Sequence, residues 1–343
     1  MHRYARRIAA FAVTAVSLYL VGPAVVDVFS SWPDVKGLDP FLLQLIVIAQ
    51  IAAFACLWAV LRITLGRAPW LPVITSQLAS NAAARVLPGG GATGNALQYT
   101  MLVGAGAPAG ATASGLVAAS LLTTGIVLAL PALAIPAVLG GAPLDQSLAR
   151  AAWAGAAALA LLTAAAAVLL FTDGALRGMG RVLQALRNRL PGRRGREPRT
   201  DLPERLLAER DLIRRILSDR WFAAVAATLG RWGFDYVALL LALLAVGESP
   251  ALSAVLLAFC VAQALSLVPL TPGGLGFVEA GLTGTLALAG VPAGHALVAT
   301  LAYRLASYWL PIPIGAGAYA LHRHKFGHGR PAVTSSDREE AHA

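Results

Sequence analysis

Five ionisable side chains lie within apolar stretches of this 343-residue chain, at Arg85, Arg231, Asp235, Glu279 and Arg304. A charged side chain at the centre of a bilayer costs at least about 2.5–3.5 kcal/mol unless it is paired or hydrated. Five such residues therefore predict internal ion pairs or an internal polar cavity. Arg231 and Asp235 are four residues apart, a spacing that favours a local, self-neutralising pair on one helix.

Glu279 and Arg304 have two open interpretations. Glu279 follows Gly274 by five residues. Its carboxylate could stabilise the start of a helix there or form a structural strut with Arg304. In the functional interpretation Arg304 binds an anionic headgroup, and Glu279 orients or gates it. Arg304 is too deep in its apolar stretch for an interface anchor, and strut and binding site do not exclude one another.

A repeated proline–glycine pattern surrounds these charges. Pro88-Gly89-Gly90 is followed by Gly106-x-Pro108-Ala109-Gly110, and 184 residues later (Pro88 to Pro272) Pro272-Gly273-Gly274 is followed by Gly290-x-Pro292-Ala293-Gly294. Proline ends a half-helix, glycine permits a turn, and the next half-helix presents N–H groups suited to a phosphate. Paired broken helices favour a transport site, whereas close helix packing through small residues is the structural alternative.

The composition predicts an integral membrane protein. The chain is 57% hydrophobic and 13% charged, with a mean hydropathy of +0.69. A membrane crossing needs about 20 apolar residues. Six spans are predicted, at 8–29, 41–65, 110–131, 150–171, 221–246 and 294–321. Two broken elements are predicted at 71–86 with 92–105 and at 251–290. The expected fold is all-α, with six full spans and two re-entrant broken-helix elements in an inverted repeat.

The positive charge indicates the topology. The net charge is +10, and the Arg-rich stretch 172–220 is interpreted as a basic cytoplasmic loop rather than a nucleic-acid site. Within it, 201–219 has the spacing of a membrane-surface helix, with an ordinary soluble amphipathic helix as the alternative. This places a transmembrane domain at 1–321 and a disordered cytoplasmic tail at 322–343, with both termini cytoplasmic. The first broken element then enters from the cytoplasm and the second from outside.

The sequence contains no pattern typical of an enzyme. It lacks a phosphate-binding Walker loop, zinc-ligand spacing, an acidic metal cluster and a nucleophile elbow. We therefore predict no catalytic activity, metal or cofactor. His295 is the one histidine inside an apolar stretch, and it is interpreted as an interfacial or hydrogen-bonded residue.

The second break lies in a longer motif, Val268-Pro-Leu-Thr-Pro-Gly-Gly-Leu-Gly-Phe-Val-Glu-Ala-Gly281, which is followed by Tyr303-Arg304 and Pro311-x-Pro-x-Gly315. This motif resembles the lysylphosphatidylglycerol synthase transmembrane, or flippase-like, domain family. Ser80-Asn81 with Leu87-Pro88-Gly89-Gly90 resembles its first re-entrant motif. The resemblance covers about residues 8–321. It implies an inner-membrane protein of bacterial type, with two re-entrant elements around a lipid-accessible cavity and a role in moving a lipid headgroup between leaflets. The residues carried over are Asn81, Pro88, Pro272, Gly273, Gly274, Gly276, Glu279 and Arg304.

Two departures from the family pattern limit this inference. Many relatives carry an acidic residue and an arginine after the first motif, where this chain has Ala92, Thr93, Asn95 and Gln98. A charge-specific role of the first half is therefore not expected from the resemblance. The soluble aminoacyl-transferase domain of the bifunctional members has no counterpart here, so we do not expect synthesis of lysylphosphatidylglycerol.

The leading hypothesis is a translocase of an anionic phospholipid or a polyprenyl-phosphate-linked glycolipid, with anionic membrane lipids as partners. The expected substrate-binding residues are Arg304, Glu279, Arg85, Asn81, Pro272, Gly273, Gly274, Gly276, Pro88, Gly89 and Gly90. One alternative is an ion-coupled transporter of a small solute, with Glu279 as the proton carrier. Another is a non-catalytic membrane partner of a separate synthase or glycosyltransferase, docked through the Arg-rich loop.

Overall fold

The computed structural model describes residues 38–87, 89–134, 172–189, 220–266 and 274–327, with scattered positions inside 150–164 and 204–211. The described residues are helical and contain no strand. Ten α-helices have described bounds: α1 Pro40–Thr64, α2 Trp70–Val86, α3 Gly90–Gly104, α4 Ala109–Ala129, α5 Asp173–Arg189, α6 Trp221–Ala245, α7 Leu252–Ser266, α8 Phe277–Leu288, α9 Ala293–Arg304 and α10 Pro311–Phe326. A 3-10 turn at Leu130–Ala134 extends α4, and a π-helical turn at Leu305–Trp309 joins α9 to α10.

Three of these segments are long and apolar enough to cross a membrane: Pro40–Thr64, Ala109–Leu133 and Trp221–Ala245. They fall on the predicted spans 41–65, 110–131 and 221–246. The predicted span 294–321 corresponds to α9, the π-helical turn and most of α10. The predicted span 8–29 lies outside the described residues, as does most of 150–171. The structure therefore supports a helical membrane protein and leaves the number of spans a prediction.

The two proline–glycine breaks have matching backbone conformations. Gly90 and Gly274 both adopt a positive φ, of 52° and 74°, and so do Gly106 and Gly290, at 96° and 91°. Residues with a side chain rarely adopt this conformation. The hydrogen bonds repeat as well. In each copy, the residue that follows the glycine (Gly106 or Gly290) donates its N–H to the carbonyl five residues earlier, over 3.1 Å. The repeated pattern in the sequence is therefore a repeated turn in the structure.

The repeat extends further than the sequence identities. Helices α1 and α6 are each 25 residues long, and each is followed by a left-handed glycine, Gly66 or Gly247. These two helices also pack against each other more extensively than any other described pair. Ile46 of α1 and Leu239 and Leu243 of α6 belong to one buried core. Helices α1 to α4 and α6 to α9 are thus two similar units that meet along their first helices.

Close packing through small residues also occurs at the first break. A Cβ atom added to Gly94 of α3 would lie 2.6 Å from the carbonyl oxygen of Ser80 and 2.9 Å from the Cβ of Ala84, both in α2. Only glycine allows the two half-helices to approach so closely. Close packing through small residues therefore accounts for this part of the first break.

The last helix extends into the segment predicted as a disordered tail. Helix α10 ends at Phe326, and His322 is only 4% exposed. Its Nδ1 lies 2.7 Å from the Thr75 hydroxyl of α2, and its Nε2 lies 3.0 Å from the carbonyl oxygen of Met101 in α3. The tail boundary at 322 was too early because a histidine looks polar in sequence but is satisfied here by two buried partners. Residues 328–343 lie outside the described residues.

His322→Ala should lower the free energy of unfolding by about 1–3 kcal/mol, because the Met101 carbonyl and the Thr75 hydroxyl would lose a buried partner. His324→Ala is the matched control, since His324 is exposed on the same helix, and a change within about 0.5 kcal/mol is expected. Thermal unfolding of the purified protein in detergent measures both variants. Equal stability of the two variants would contradict the role of His322 in holding α10 against α2 and α3.

The Arg-rich stretch contains a helix that was not predicted. Helix α5 covers Asp173–Arg189, whereas the predicted surface helix is at 201–219. Most of 201–219 lies outside the described residues. Arg210, one of the described positions there, lies 2.6 Å from Asp173 Oδ1 at the start of α5. The ion pair is partly exposed and contributes little to stability.

Candidate functional site

Four residues from both halves of the chain form one cluster, which we call the arginine–tyrosine cluster: Arg85, Glu279, Arg304 and Tyr308. The Arg304 Nε donates to Glu279 Oε1 over 2.6 Å. The guanidinium carbon of Arg304 lies 4.3 Å from the centre of the Tyr308 ring, and that of Arg85 lies 4.8 Å from the same ring. Both cations therefore lie within cation–π distance of a single aromatic ring.

Arg85 and Tyr308 are also joined by two hydrogen bonds. The Arg85 Nη1 donates to the backbone carbonyl of Tyr308, and the Tyr308 hydroxyl donates to the backbone carbonyl of Arg85 over 3.3 Å. Pro311 and Pro313 follow this turn and have no N–H to donate to it. A side chain from the first half of the chain thus satisfies a carbonyl in the second half.

The elements around the cluster explain its position. Arg85 lies in the last turn of α2, directly before the first break, and Glu279 lies in the first turn of α8, directly after the second. A carboxylate in the first turn is favourable for the helix dipole. The Glu279 side chain also contacts Arg304 at the end of α9. The two breaks therefore bring charged half-helix ends to the last span.

The cluster has an excess of positive charge and unused hydrogen-bonding atoms. Glu279 is its one acidic residue among the described positions, against two guanidinium groups. Glu279 Oε2 and Arg304 Nη2 are buried and form no hydrogen bond within the described part of the chain, and the hydroxyl of Ser307 is in the same state. A buried polar atom without a partner costs about 1–3 kcal/mol. The cluster therefore carries a net positive charge and a buried guanidinium donor on Arg304 that lacks a partner among the described residues.

Arg231 and Asp235 form the local pair that their spacing predicted. Arg231 Nη1 lies 3.0 Å from Asp235 Oδ2, in a geometry that makes an ion pair without a hydrogen bond. Asp235 also accepts from Gln50 Nε2 over 2.6 Å and from the Tyr303 hydroxyl over 3.0 Å, while Gln263 Nε2 lies 3.4 Å from it. We interpret this network as structural, because Asp235 is 3% exposed and already has a full set of donors.

The predicted site residues are only partly brought together. Arg85, Glu279 and Arg304 meet in the arginine–tyrosine cluster. Gly89, Gly90, Gly274 and Gly276 form the turns of the breaks with positive φ values. Asn81 lies one turn before Arg85 in α2, and its Oδ1 is buried without a hydrogen-bond partner in the described part of the chain. Pro88, Pro272 and Gly273 lie outside the described residues.

Sequence reasoning missed Tyr308 and the polar partners of Asp235. Tyr308 follows Arg304 by four residues, so helical spacing places it near Arg304. Gln50 is a polar residue within an apolar span, which is itself a signal for an internal partner. The interpretation of His295 as a hydrogen-bonded residue is confirmed, because its Nδ1 lies 2.7 Å from Glu248 Oε1.

Comparison with known proteins identifies the family. Residues 7–315 match the family described as the lysylphosphatidylglycerol synthase TM region. The chain belongs to this family. The matched range includes both breaks and all four residues of the arginine–tyrosine cluster, so the lysylphosphatidylglycerol synthase TM resemblance predicted over 8–321 is confirmed.

A member of an uncharacterised group is also similar. A segment of 88 residues is 39% identical to a UPF0104 membrane protein of Methanothermobacter thermautotrophicus. The match covers 26% of this chain and spans 25% of the length of that relative. This relative adds support for a membrane protein of the lysylphosphatidylglycerol synthase TM family, and its name specifies no substrate.

Proposed function

We propose that this protein moves an anionic phospholipid or a polyprenyl-phosphate-linked glycolipid between membrane leaflets. The observation that carries the proposal is the arginine–tyrosine cluster, in which two guanidinium groups contact one aromatic ring and one of them, that of Arg304, pairs with Glu279. Arg304 Nη2 is buried and has no hydrogen-bond partner among the described residues, which makes it available for a phosphate oxygen. Hydrogen bonds to charged groups contribute about 1.5–3 kcal/mol each. A phosphate in contact with Arg304 would also satisfy an otherwise costly buried donor.

Each half of the chain supplies one arginine to this site. Arg85 belongs to the first unit and Arg304 to the second, and both contact Tyr308. A bound phosphate would therefore interact with both units at once. Its binding energy would favour whichever arrangement of the units brings the two guanidinium groups together. This is the kind of coupling that movement of the units around a central site requires.

The proposed topology places the breaks inside the membrane as re-entrant elements. Helices α2, α3, α7 and α8 have 17, 15, 15 and 12 residues, which is shorter than the roughly 20 residues of a crossing. Six full spans, an inverted repeat and cytoplasmic termini in a bacterial inner membrane complete the proposal. The basic loop 172–220 supports this orientation, since basic residues near anionic lipids contribute about 1 kcal/mol each.

Reconstitution into liposomes tests the proposal directly. The full chain is reconstituted with fluorescent phosphatidylglycerol, a fluorescent polyprenyl-phosphate glycolipid or fluorescent phosphatidylcholine, and leaflet exchange is followed by quenching of the outer leaflet. Faster exchange of an anionic lipid than of phosphatidylcholine is expected, and the two anionic probes distinguish the substrate classes. Exchange of both anionic probes at the rate of protein-free liposomes would overturn the proposal.

A further inference from the structure

A groove lies between α3 and α4, in the first half of the chain. Its volume is about 530 Å³, and Asn95, Tyr99, Ser120 and Thr124 line it together with apolar residues such as Leu116 and Leu121. Leu121 is 66% exposed, so the groove is open to its surroundings. No charged side chain lines it. Its shape and size fall within the range of ligand sites.

The repeat relates this groove to the arginine–tyrosine cluster. The offset of 184 residues (Pro88 to Pro272) matches three lining residues to three cluster residues: Asn95 to Glu279, Ser120 to Arg304 and Thr124 to Tyr308. The first half thus has uncharged hydrogen-bonding side chains where the second half has charged and aromatic ones. The sequence after the first motif lacks the charged residues found at matched positions of the second half, and α4 shows the same lack of charge.

The matched helices of the second half are in direct contact. There α8 and α9 are joined by a hydrogen bond of 3.3 Å between the hydroxyls of Thr283 and Thr300. The same offset matches these threonines to Tyr99 and Leu116, which line the groove in the first half. The two helices that close on one another in the second unit are therefore separated by a cavity in the first.

The depth of the groove makes its polar groups informative. Ser120 is the twelfth residue of the 25-residue membrane-length segment Ala109–Leu133, which places it near the middle of that segment. The side chains of Asn95, Tyr99, Ser120 and Thr124 form no hydrogen bond with any described residue. Polar groups at this depth need partners, whereas apolar contact alone gives little preference between protein and lipid. Hydrogen bonding therefore decides what occupies the groove.

We propose that the α3–α4 groove binds a membrane lipid through an uncharged, hydroxyl-bearing headgroup. Hydroxyl and amide side chains both donate and accept, which suits the hydroxyls of a sugar. The apolar residues contact the adjoining hydrocarbon chain. A phosphate is disfavoured because no lining residue neutralises its charge. The site is separate from the arginine–tyrosine cluster, and its argument does not depend on lipid translocation.

Photo-crosslinking of the full chain in lipid nanodiscs tests this site. The probes are a photoactivatable glucosyl diacylglycerol and a photoactivatable phosphatidylglycerol with the same acyl chains. We expect the sugar lipid to label the segments 95–99 and 113–124 in preference to phosphatidylglycerol. Ser120→Ala/Thr124→Val removes two hydroxyls with little change of shape. It should lower labelling about tenfold, which corresponds to about 1.4 kcal/mol.

Thr100→Val is the matched control. Thr100 is exposed on α3, does not line the groove, and donates within its own helix to the Leu97 carbonyl over 2.8 Å. Its labelling should equal that of the unmodified protein. Equal labelling by the two probes, or unchanged labelling of Ser120→Ala/Thr124→Val, would overturn the proposal.

A photoreactive amino acid at position 121 completes the test. Crosslinks from this position to residues 8–29 or 150–171, with no lipid labelling, would show that the chain itself fills the groove, which also overturns the proposal. The labelling experiment does not measure leaflet exchange. Either proposal can therefore fail while the other one holds.

Discussion

Arg304→Gln is expected to lower the rate of lipid translocation by about tenfold to a hundredfold, because a charge-assisted hydrogen bond to phosphate contributes about 1.5–3 kcal/mol. The variant should also be less stable by about 3–5 kcal/mol, since Glu279 would be left as a buried carboxylate without its cation. Leaflet exchange in liposomes and thermal unfolding in detergent measure the two effects. Arg323→Gln, an exposed cation on α10, is the control and should change neither.

The double variant Glu279→Gln/Arg304→Gln separates a strut from a binding site. Both charges are removed, so most of the lost stability should return. If Arg304 binds the lipid phosphate, translocation stays low in this stable protein. If the pair is only a strut, translocation returns with stability, and that result would contradict the binding role of Arg304.

Asp235→Asn should lower the free energy of unfolding by about 3–5 kcal/mol, since Arg231 loses its counter-charge inside the helix bundle. The new amide can keep its oxygen at the Oδ1 position, where Gln50 and Tyr303 donate, but its NH2 group then faces the donors of Arg231 and Gln263. Thermal unfolding in detergent measures the loss. Arg231→Gln/Asp235→Asn removes both charges and should recover part of it.

Asp39→Asn is the matched control for this substitution. Asp39 precedes α1 and accepts from the Phe41 N–H over 2.9 Å at an exposed helix start. Asparagine caps a helix about as well as aspartate, so the same chemical change should have little effect there. Equal stability of Asp235→Asn and Asp39→Asn would show that the network around Asp235 does not stabilise the fold.

Local patterns in the sequence predicted the helices well. Long apolar runs located α1, α4 and α6 within a few residues, because hydrocarbon allows few backbone structures besides helices. The proline–glycine breaks located the two turns, since proline and glycine restrict the backbone independently of distant contacts. The local pairing of Arg231 with Asp235 followed from helical spacing in the same way.

Contacts between distant segments could not be predicted from such patterns. The Arg85–Tyr308 contact joins residues 223 positions apart, and no local rule relates them. The burial of His322 depends on Thr75 and Met101, which lie in the other half of the chain. The packing of α1 against α6 was also missed, because these two helices share length and position without the residue identities that marked the breaks.

The π-helical turn at Leu305–Trp309 is a backbone feature that the matched part of the first unit lacks. Its hydrogen bond from the Leu310 N–H to the Leu305 carbonyl spans five residues, whereas the matched part of α4 is regular α-helix with four-residue spacing. A π-helical turn within α-helical sequence is frequent at functional sites. Tyr308 lies within this one, so the aromatic ring that both arginines contact stands on the part of the helix whose backbone departs from its counterpart in α4.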